Sequence, residues 1–341
     1  MYIAWMKFII CSGIIFLAGS QLTRYADIIA EKTGITRAWI GIVVLAAITS
    51  IPELFNGIIA VTLVGLPDLA IGNIFGANLY NMLTLANLSL LYAVVSRKSL
   101  YERASRSNLI SAYYAIVLML IACLSIALNR FIRMPVPFWV GLDSLAIAAV
   151  YLFSQRAVYL LEKRAKAHGL DERKDDVEVI SFASALTRFL VSTAFVVAAG
   201  IWLPYVGKEI AEVMGWANSF VGSAFLGFAT TMPEFVVSTS AILVAKSPDM
   251  CIGNLFGSNV FDVFLLFVDD VFYGKGPFFA AVSFANLYFG LVVICAIAVG
   301  TLALILKPRR RLFGVIGWDW PLICSIYLFG IILLYKIGLK A

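Results

Sequence analysis

Ten stretches of this chain, roughly residues 3–22, 38–64, 69–95, 108–129, 137–160, 185–206, 219–245, 250–272, 280–306 and 314–335, are mostly apolar. Each is about as long as, or longer than, the 20 or so residues that cross a bilayer as a helix. In lipid no water is available to satisfy the backbone, so such segments must close their own hydrogen bonds, and helices do this. The expected fold class is an all-α integral membrane protein with ten transmembrane helices. Composition agrees: 62% of the 341 residues are hydrophobic and only 13% charged. Little chain remains for a soluble domain.

The basic residues set an orientation, because cytoplasmic loops retain Lys and Arg. The loops after spans 1, 3, 5, 7 and 9 would share one side, and they hold 17 of the 26 Lys and Arg residues. Both termini are therefore expected outside a cell (plasma or inner) membrane, crossed many times. This bias accounts for the net charge of +6 without a nucleic-acid partner. Lys7 followed by an apolar run and by Ala18, Gly19 and Ser20 resembles a signal peptide. The repeat described next includes that run, which argues that it is retained.

Shifted by 181 residues, the chain matches itself without a gap. "TSIPE" at Thr49–Glu53 falls on "TTMPE" at Thr230–Glu234, and "PDLAIGNIFGANLYN" at Pro67–Asn81 falls on "PDMCIGNLFGSNVFD" at Pro248–Asp262. From residue 41 against 222 to residue 81 against 262, 14 of 41 positions are identical, among them Pro, Glu, Gly and Asn. Apolar bias does not supply those. The expected organisation is a first five-helix repeat at 1–161, a cytoplasmic linker at 162–183 and a second five-helix repeat at 184–341. An odd number of spans per copy inverts the second copy, and inverted repeats place substrate near the midplane and alternate access around it.

Each copy carries a proline inside an apolar span, and a glutamate follows it. Pro52 and Pro233 have no N–H to offer the carbonyls of Ile48 and Ala229, so backbone oxygens are released. Thr49 and Glu53, like Thr230 and Glu234, are four residues apart and share a helix face. A carboxylate, a hydroxyl and loosened carbonyls are hard oxygen donors, suited to calcium, sodium or magnesium, with calcium the natural candidate where two carboxylates converge. On the following helix Asn254, Ser258 and Asp262 recur every four residues, as do Asn73, Ala77 and Asn81. Asp262 is assigned to the site region. Asn78 and Asn259 are either site residues or interhelical hydrogen bonds, and Gly72, Gly76, Gly253 and Gly257 allow close helix approach.

With "ITSIPE" and "GNIFGANLYN" in one copy and "ATTMPE" and "GNLFGSNVFD" in the other, the chain resembles the calcium/cation antiporter superfamily, and within it the sodium/calcium exchanger branch, prokaryotic in type and without a regulatory domain. The resemblance covers essentially the whole chain. It implies calcium ligation by Glu53 and Glu234 with the backbone oxygens of Thr49 and Thr230. For sodium it implies the same carboxylates with Thr49, Thr230, Ser258 and the carbonyls of Ala46 and Gly227, while Asn81 and Asp262 line the centre. Calcium and sodium are then substrates, and no cofactor is expected. The chain departs from the pattern at Ile48 and Ala229, where glycine is usual, at Thr231, where serine is usual, and at Ala77, which lacks the hydroxyl that Ser258 keeps.

Other readings stay open at this stage. Closely spaced buried carboxylates can hold protons when no cation is bound, so a proton/calcium antiporter is an alternative, as are a potassium-dependent sodium/calcium antiporter and a cation channel. An enzyme is not expected: no membrane-embedded His accompanies Ser258 as a base. His168, the only histidine, lies in a mixed-charge loop with no second ligand for zinc. The five cysteines form no CxxC pair and read as packing residues. Asp269 and Asp270 end span 8 on the outer side and read as a solvated helix end, with attraction of cations to the mouth as the alternative. The bilayer is the expected partner environment and the protein is expected to be a monomer. The orientation predicts that, in intact cells, a cysteine introduced near Lys166 is protected from an impermeant thiol reagent, whereas one near Lys340 reacts; the reverse pattern refutes it.

Overall fold

The computed structural model describes residues 1–33, 46–132, 139–167, 180–243, 247–307 and 317–338. The expectations for His168, for residues 38–45 and for Lys340 lie outside them. Every regular element among the described residues is helical. The longer helices are α1 (Tyr2–Thr33), α2 (Ile51–Ile59), α3 (Pro67–Ser96), α4 (Arg106–Phe131), α5 (Leu142–Ala167), α6 (Phe182–Met214), α7 (Met232–Leu243), α8 (Pro248–Tyr273), α9 (Ala285–Leu306) and α10 (Asp319–Gly338). Among the described residues eight helices are long and apolar enough to cross a membrane on their own. The segment Asn218–Thr230 joins α7 at a 43° bend to give a ninth candidate, and Ile51–Val64 is a shorter apolar helix.

Local signals place the ends. Pro67 and Pro248 occupy the first turns of α3 and α8, where a missing N–H costs nothing. Gly215 and Gly274 stop α6 and α8 with φ of 65° and 60°, a left-handed conformation that glycine adopts without penalty. The Oγ of Ser105 accepts from the N–H of Asn108 at 3.3 Å and so caps α4.

Helices α3 and α8 lie at the centre and are buried over most of their length. Helices α1 and α6, equivalent under the 181-residue shift, pack side by side. Helix α4 packs on α8 and on α9. Two aspartates at equivalent positions tie the copies together crosswise. Asp68 Oδ1, at the start of α3, accepts from the N–H of Ser283 and the Nδ2 of Asn286, both at 2.7 Å. Asp249 Oδ1, at the start of α8, accepts from the N–H of Ser105 and the Nδ2 of Asn108, both at 2.6 Å.

Gly72 and Gly76 meet their expectation. A Cβ at Gly72 would sit 2.9 Å from the carbonyl oxygen of Ser219, and one at Gly76 would run into the backbone of Ser223. Main chain thus packs on main chain between α3 and the π-helical turn Gly222–Leu226.

Asp269 and Asp270 do not form a solvated helix end. Both are buried, at 1% and 0% exposure. The chain after α8 folds over that end, and Asp270 accepts from the N–H of Gly141 at 2.8 Å and from the N–H of Phe278 at 3.0 Å. Of the cysteines, Cys11, Cys123 and Cys251 are buried packing residues, whereas Cys295 is exposed and Cys324 half-buried on outward faces. Gly76→Ala should destabilise the protein by about 1–3 kcal/mol, the usual cost of overpacking. Gly13→Ala, where the new methyl meets nothing within 4 Å, should not. Thermal melts of the two variants in detergent provide the comparison, and equal midpoints would contradict the backbone-to-backbone packing.

Candidate cation site

The two Pro-Glu segments break their helices in the same way. Ser50 (φ −85°, ψ 15°) and Thr231 (φ −79°, ψ 2°) leave helical geometry, and a new helix begins immediately after each. Proline falls in the first turn of that new helix, with Glu53 or Glu234 following it in the same turn. An N-terminal turn carries partial positive charge and favours a carboxylate there. The second-copy helix is bent by 43° at its break, and neither helix is unwound. Ser50 N–H still reaches the Ala46 carbonyl at 3.1 Å and Leu54 N–H the Ser50 carbonyl at 3.1 Å. In the second copy Thr231 N–H reaches Gly227 at 3.2 Å and Phe235 N–H reaches Thr231 at 3.2 Å.

The carbonyls assigned to sodium are therefore engaged within their own helices. Ala46 also accepts from Thr49 Oγ1 at 3.1 Å. Gly227 also accepts from the hydroxyl of Thr231 and, at 3.5 Å, from that of Thr230.

Side chains from the two copies meet between the breaks. Ser50 Oγ lies 2.7 Å from Asp262 Oδ1 and 3.2 Å from Glu234 Oε1, so one hydroxyl serves two carboxylates. Ser258 Oγ reaches the same Glu234 Oε1 at 3.4 Å and Thr49 Oγ1 at 3.4 Å. Thr230 borders Glu53, yet its single proton has Asn73 Oδ1 at 3.0 Å and the Leu226 carbonyl at 3.1 Å within reach. Glu53, Glu234 and Asp262 are close enough to repel one another and are exposed by 0%, 1% and 0%.

Acceptors outnumber donors here. Both oxygens of Glu53, Oε2 of Glu234 and Oδ2 of Asp262 have no protein donor in hydrogen-bond geometry. An isolated buried carboxylate is costly unless a partner or a cation compensates it. Among the described residues no three His, Cys, Asp or Glu groups converge tightly enough to hold a metal by themselves. A cation here would draw on a mixed set of carboxylate, hydroxyl and amide oxygens, which is the hard donor set suited to alkali and alkaline-earth ions.

Thr49, Ser258, Glu234 and Asp262 thus form one connected cluster, with Glu53 and Thr230 beside it. Asn81 Nδ2 donates to Asn259 Oδ1 at 2.9 Å, an interhelical bond between α3 and α8, and its own Oδ1 lacks a donor. Asn78 turns back to the Ile74 carbonyl of its own helix at 2.9 Å. Ala77 is fully buried against the turn Gly227–Thr230, where its backbone N would lie 2.8 Å from a Cβ at Gly227. Sequence reasoning missed Ser50, although its place between Thr49 and the Pro-Glu pair was a signal. It also left Asn73 out of the ligand set.

Known proteins resemble the chain over nearly all its length. The family model described as sodium/calcium exchanger protein matches residues 3–156 and 184–338. The sodium/calcium exchanger MaX1 of Methanosarcina acetivorans is 24% identical over 96% of this chain and 98% of its own. The putative antiporter CaxA of Alkalimonas amylolytica is 24% identical over 86% and 87%. Among solved structures, the sodium-calcium exchanger NCX_Mj soaked with sodium and strontium superposes with a TM-score of 0.57 at 18% identity, covering 97% of this chain and 98% of that one. Native YfkE gives 0.62 at 17% identity over 96% and 92%. These two share the fold.

Ser50→Ala should remove the donor shared by Glu234 and Asp262. Without a bound ion this should lower stability by about 1–3 kcal/mol, the cost of leaving buried acceptors unpaired, and Ser50→Thr should retain most of it. Melting midpoints in sodium- and calcium-free buffer test this, and an unchanged midpoint for Ser50→Ala contradicts the bonding described.

Proposed function

The chain belongs to the sodium/calcium exchanger protein family, and from that premise we propose that it is a secondary active antiporter exchanging Ca2+ for Na+ at a two-glutamate site near the membrane midplane. It is a multi-pass membrane transporter and not an enzyme. The observation that carries the proposal is the surplus of buried acceptor oxygens on Glu53, Glu234 and Asp262 between the two helix breaks. In this reading Ca2+ is held by Glu53 and Glu234 with the backbone oxygens of Thr49 and Thr230. Na+ uses those carboxylates with Thr49, Thr230 and Ser258, and takes the carbonyls of Ala46 and Gly227 when their own hydroxyls turn away. Asp262 shares Ser50 with Glu234 and sets the charge of the centre, while Asn81 holds α3 to α8 beside it.

The architecture proposed with this function is ten spans in two inverted five-helix repeats, 1–161 and 184–341, joined by a cytoplasmic linker at 162–183. Counting the bent pair and the helix Ile51–Val64 as spans accords with it. So do the reciprocal grips of Asp68 on Ser283 and of Asp249 on Ser105, each reaching from one copy to the other. Access would alternate as one set of helices moves against the other, in a monomer in the cell membrane with both termini outside. No cofactor enters the cycle.

Proton coupling is the second reading. It is favoured by Ala77, which offers no hydroxyl where the other copy has Ser258, and by three mutually repelling carboxylates that can take up protons when no cation is bound. Calcium uptake into proteoliposomes under a sodium, potassium or proton gradient, imposed one at a time, separates the readings. Sodium alone should drive uptake, and Glu53→Gln or Glu234→Gln should abolish it, since each removes a charge from the site at nearly constant volume. Normal flux in either variant rejects the site, and drive by protons alone replaces sodium as the coupling ion.

A further inference from the structure

Asp269 is buried to 1% exposure, and neither of its carboxylate oxygens meets a protein donor. Its neighbour Asp270 differs, since two backbone N–H groups engage it. Asp269 presses on the backbone of α2: a Cβ on Gly57 would collide with its carboxylate. The residue before Gly57 is Asn56, fully buried, with neither its amide oxygen nor its amide nitrogen partnered. Gly57 lies one turn beyond Glu53 on α2, and Asp269 lies two turns beyond Asp262 on α8, about 10 Å along the helix. Asp269 therefore faces the backbone of α2 at Gly57, and the unpartnered, buried Asn56 is the adjacent residue on that helix, farther along it than the central carboxylates.

We propose that Asp269 and Asn56 form a second site, for a monovalent alkali cation, at the α2–α8 interface beyond the central cluster. The proposal rests on the transport reading above, and the site would hold an ion on its way to or from the centre. A carboxylate and an amide oxygen are hard donors. Asp270, next to Asp269, is already engaged by two backbone N–H groups, which leaves Asp269 as the one carboxylate of the pair open to an ion, and one carboxylate with a neutral amide suits a singly charged one. Among the described residues no ammonium meets the carboxylate oxygens of Asp269. Lys275, six residues on, is exposed and carries its Nζ to 3.8 Å from the Cβ position of Gly65.

The site is not a copy of the central one. Under the 181-residue shift Asp269 corresponds to Leu88, Asn56 to Val237 and Gly57 to Ser238. Leu88 and Val237 are buried apolar residues, and Ser238 pairs with Asn254 at 3.0 Å. The repeat therefore supplies none of these polar groups twice, and the clearance at Gly57 exists in one copy only.

Binding of radioactive sodium to the purified full chain tests the inference without relying on coupled transport. In a background carrying Glu53→Gln, Glu234→Gln and Asp262→Asn, which removes every central carboxylate, one saturable sodium per protein should remain. Adding Asp269→Asn should abolish it, and adding Asn56→Leu, which keeps the volume, should weaken it about tenfold, the scale of one lost contact to a charged group. If Asp269→Asn does not fold, Asn56→Leu and Gly57→Ala, whose methyl displaces the carboxylate, carry the test. The inference is overturned if the background binds no saturable sodium, or if its sodium survives these changes undiminished. A background that binds as much sodium as the wild type counts instead against the central site.

Discussion

A carboxylate withdrawn from water must be matched by donors, by a proton or by a cation, and the centre of this molecule is built around three whose oxygens the protein's own donors do not fully match. Glu53, Glu234 and Asp262 are essentially inaccessible, and Ser50 is the closest donor that two of them share. The surrounding helices allow this concentration of charge to persist. Helices α3 and α8 supply Asn73, Asn81, Ser258 and Asn259 to the same region, and the glycine contacts at Gly72 and Gly76 bring the opposing backbone close enough for short side chains to reach. A looser helix pair would leave Ser50 and Thr230 out of contact.

The bends serve the same end. Proline placed in the first turn of a new helix permits the break at Ser50 and the 43° bend at Thr231 while the backbone bonds on either side survive. The break aims a glutamate inward from a helix N-terminus, where its charge is tolerated best. Because most of the contacts run from one copy to the other, as from Ser50 to Glu234, from Thr49 to Ser258 and from Thr230 to Asn73, relative movement of the copies would dismantle and rebuild the cluster.

Duplication is not identity, however. Ser258 carries a hydroxyl that Ala77 lacks, and Asp262 carries a charge that Asn81 lacks. The second copy thus carries more side-chain oxygen at these positions. Asp269, Asn56 and Gly57 extend the asymmetry along α2 and α8, where the equivalent positions are Leu88, Val237 and Ser238.

Helix type, the Pro-Glu breaks and the pairing of equivalent segments were legible in the sequence, because each is written in local order: apolar length, a missing N–H, and spacing of three or four residues along one helix. The resemblance of "ITSIPE" and "ATTMPE" to a family pattern supplied the chemistry. Ser50 was not legible as the donor shared by Glu234 and Asp262, since those partners lie 184 and 212 residues away. Asp269 and Asp270 read as a solvated end because nothing near them in sequence shows that Gly141 and Phe278 close over them. Sequence by itself determined which groups must be helical and which residues carry charge into the membrane, since those follow from neighbours along the chain. Tertiary structure alone decided which oxygens share a proton and which have none, since that depends on distances between helices far apart in sequence.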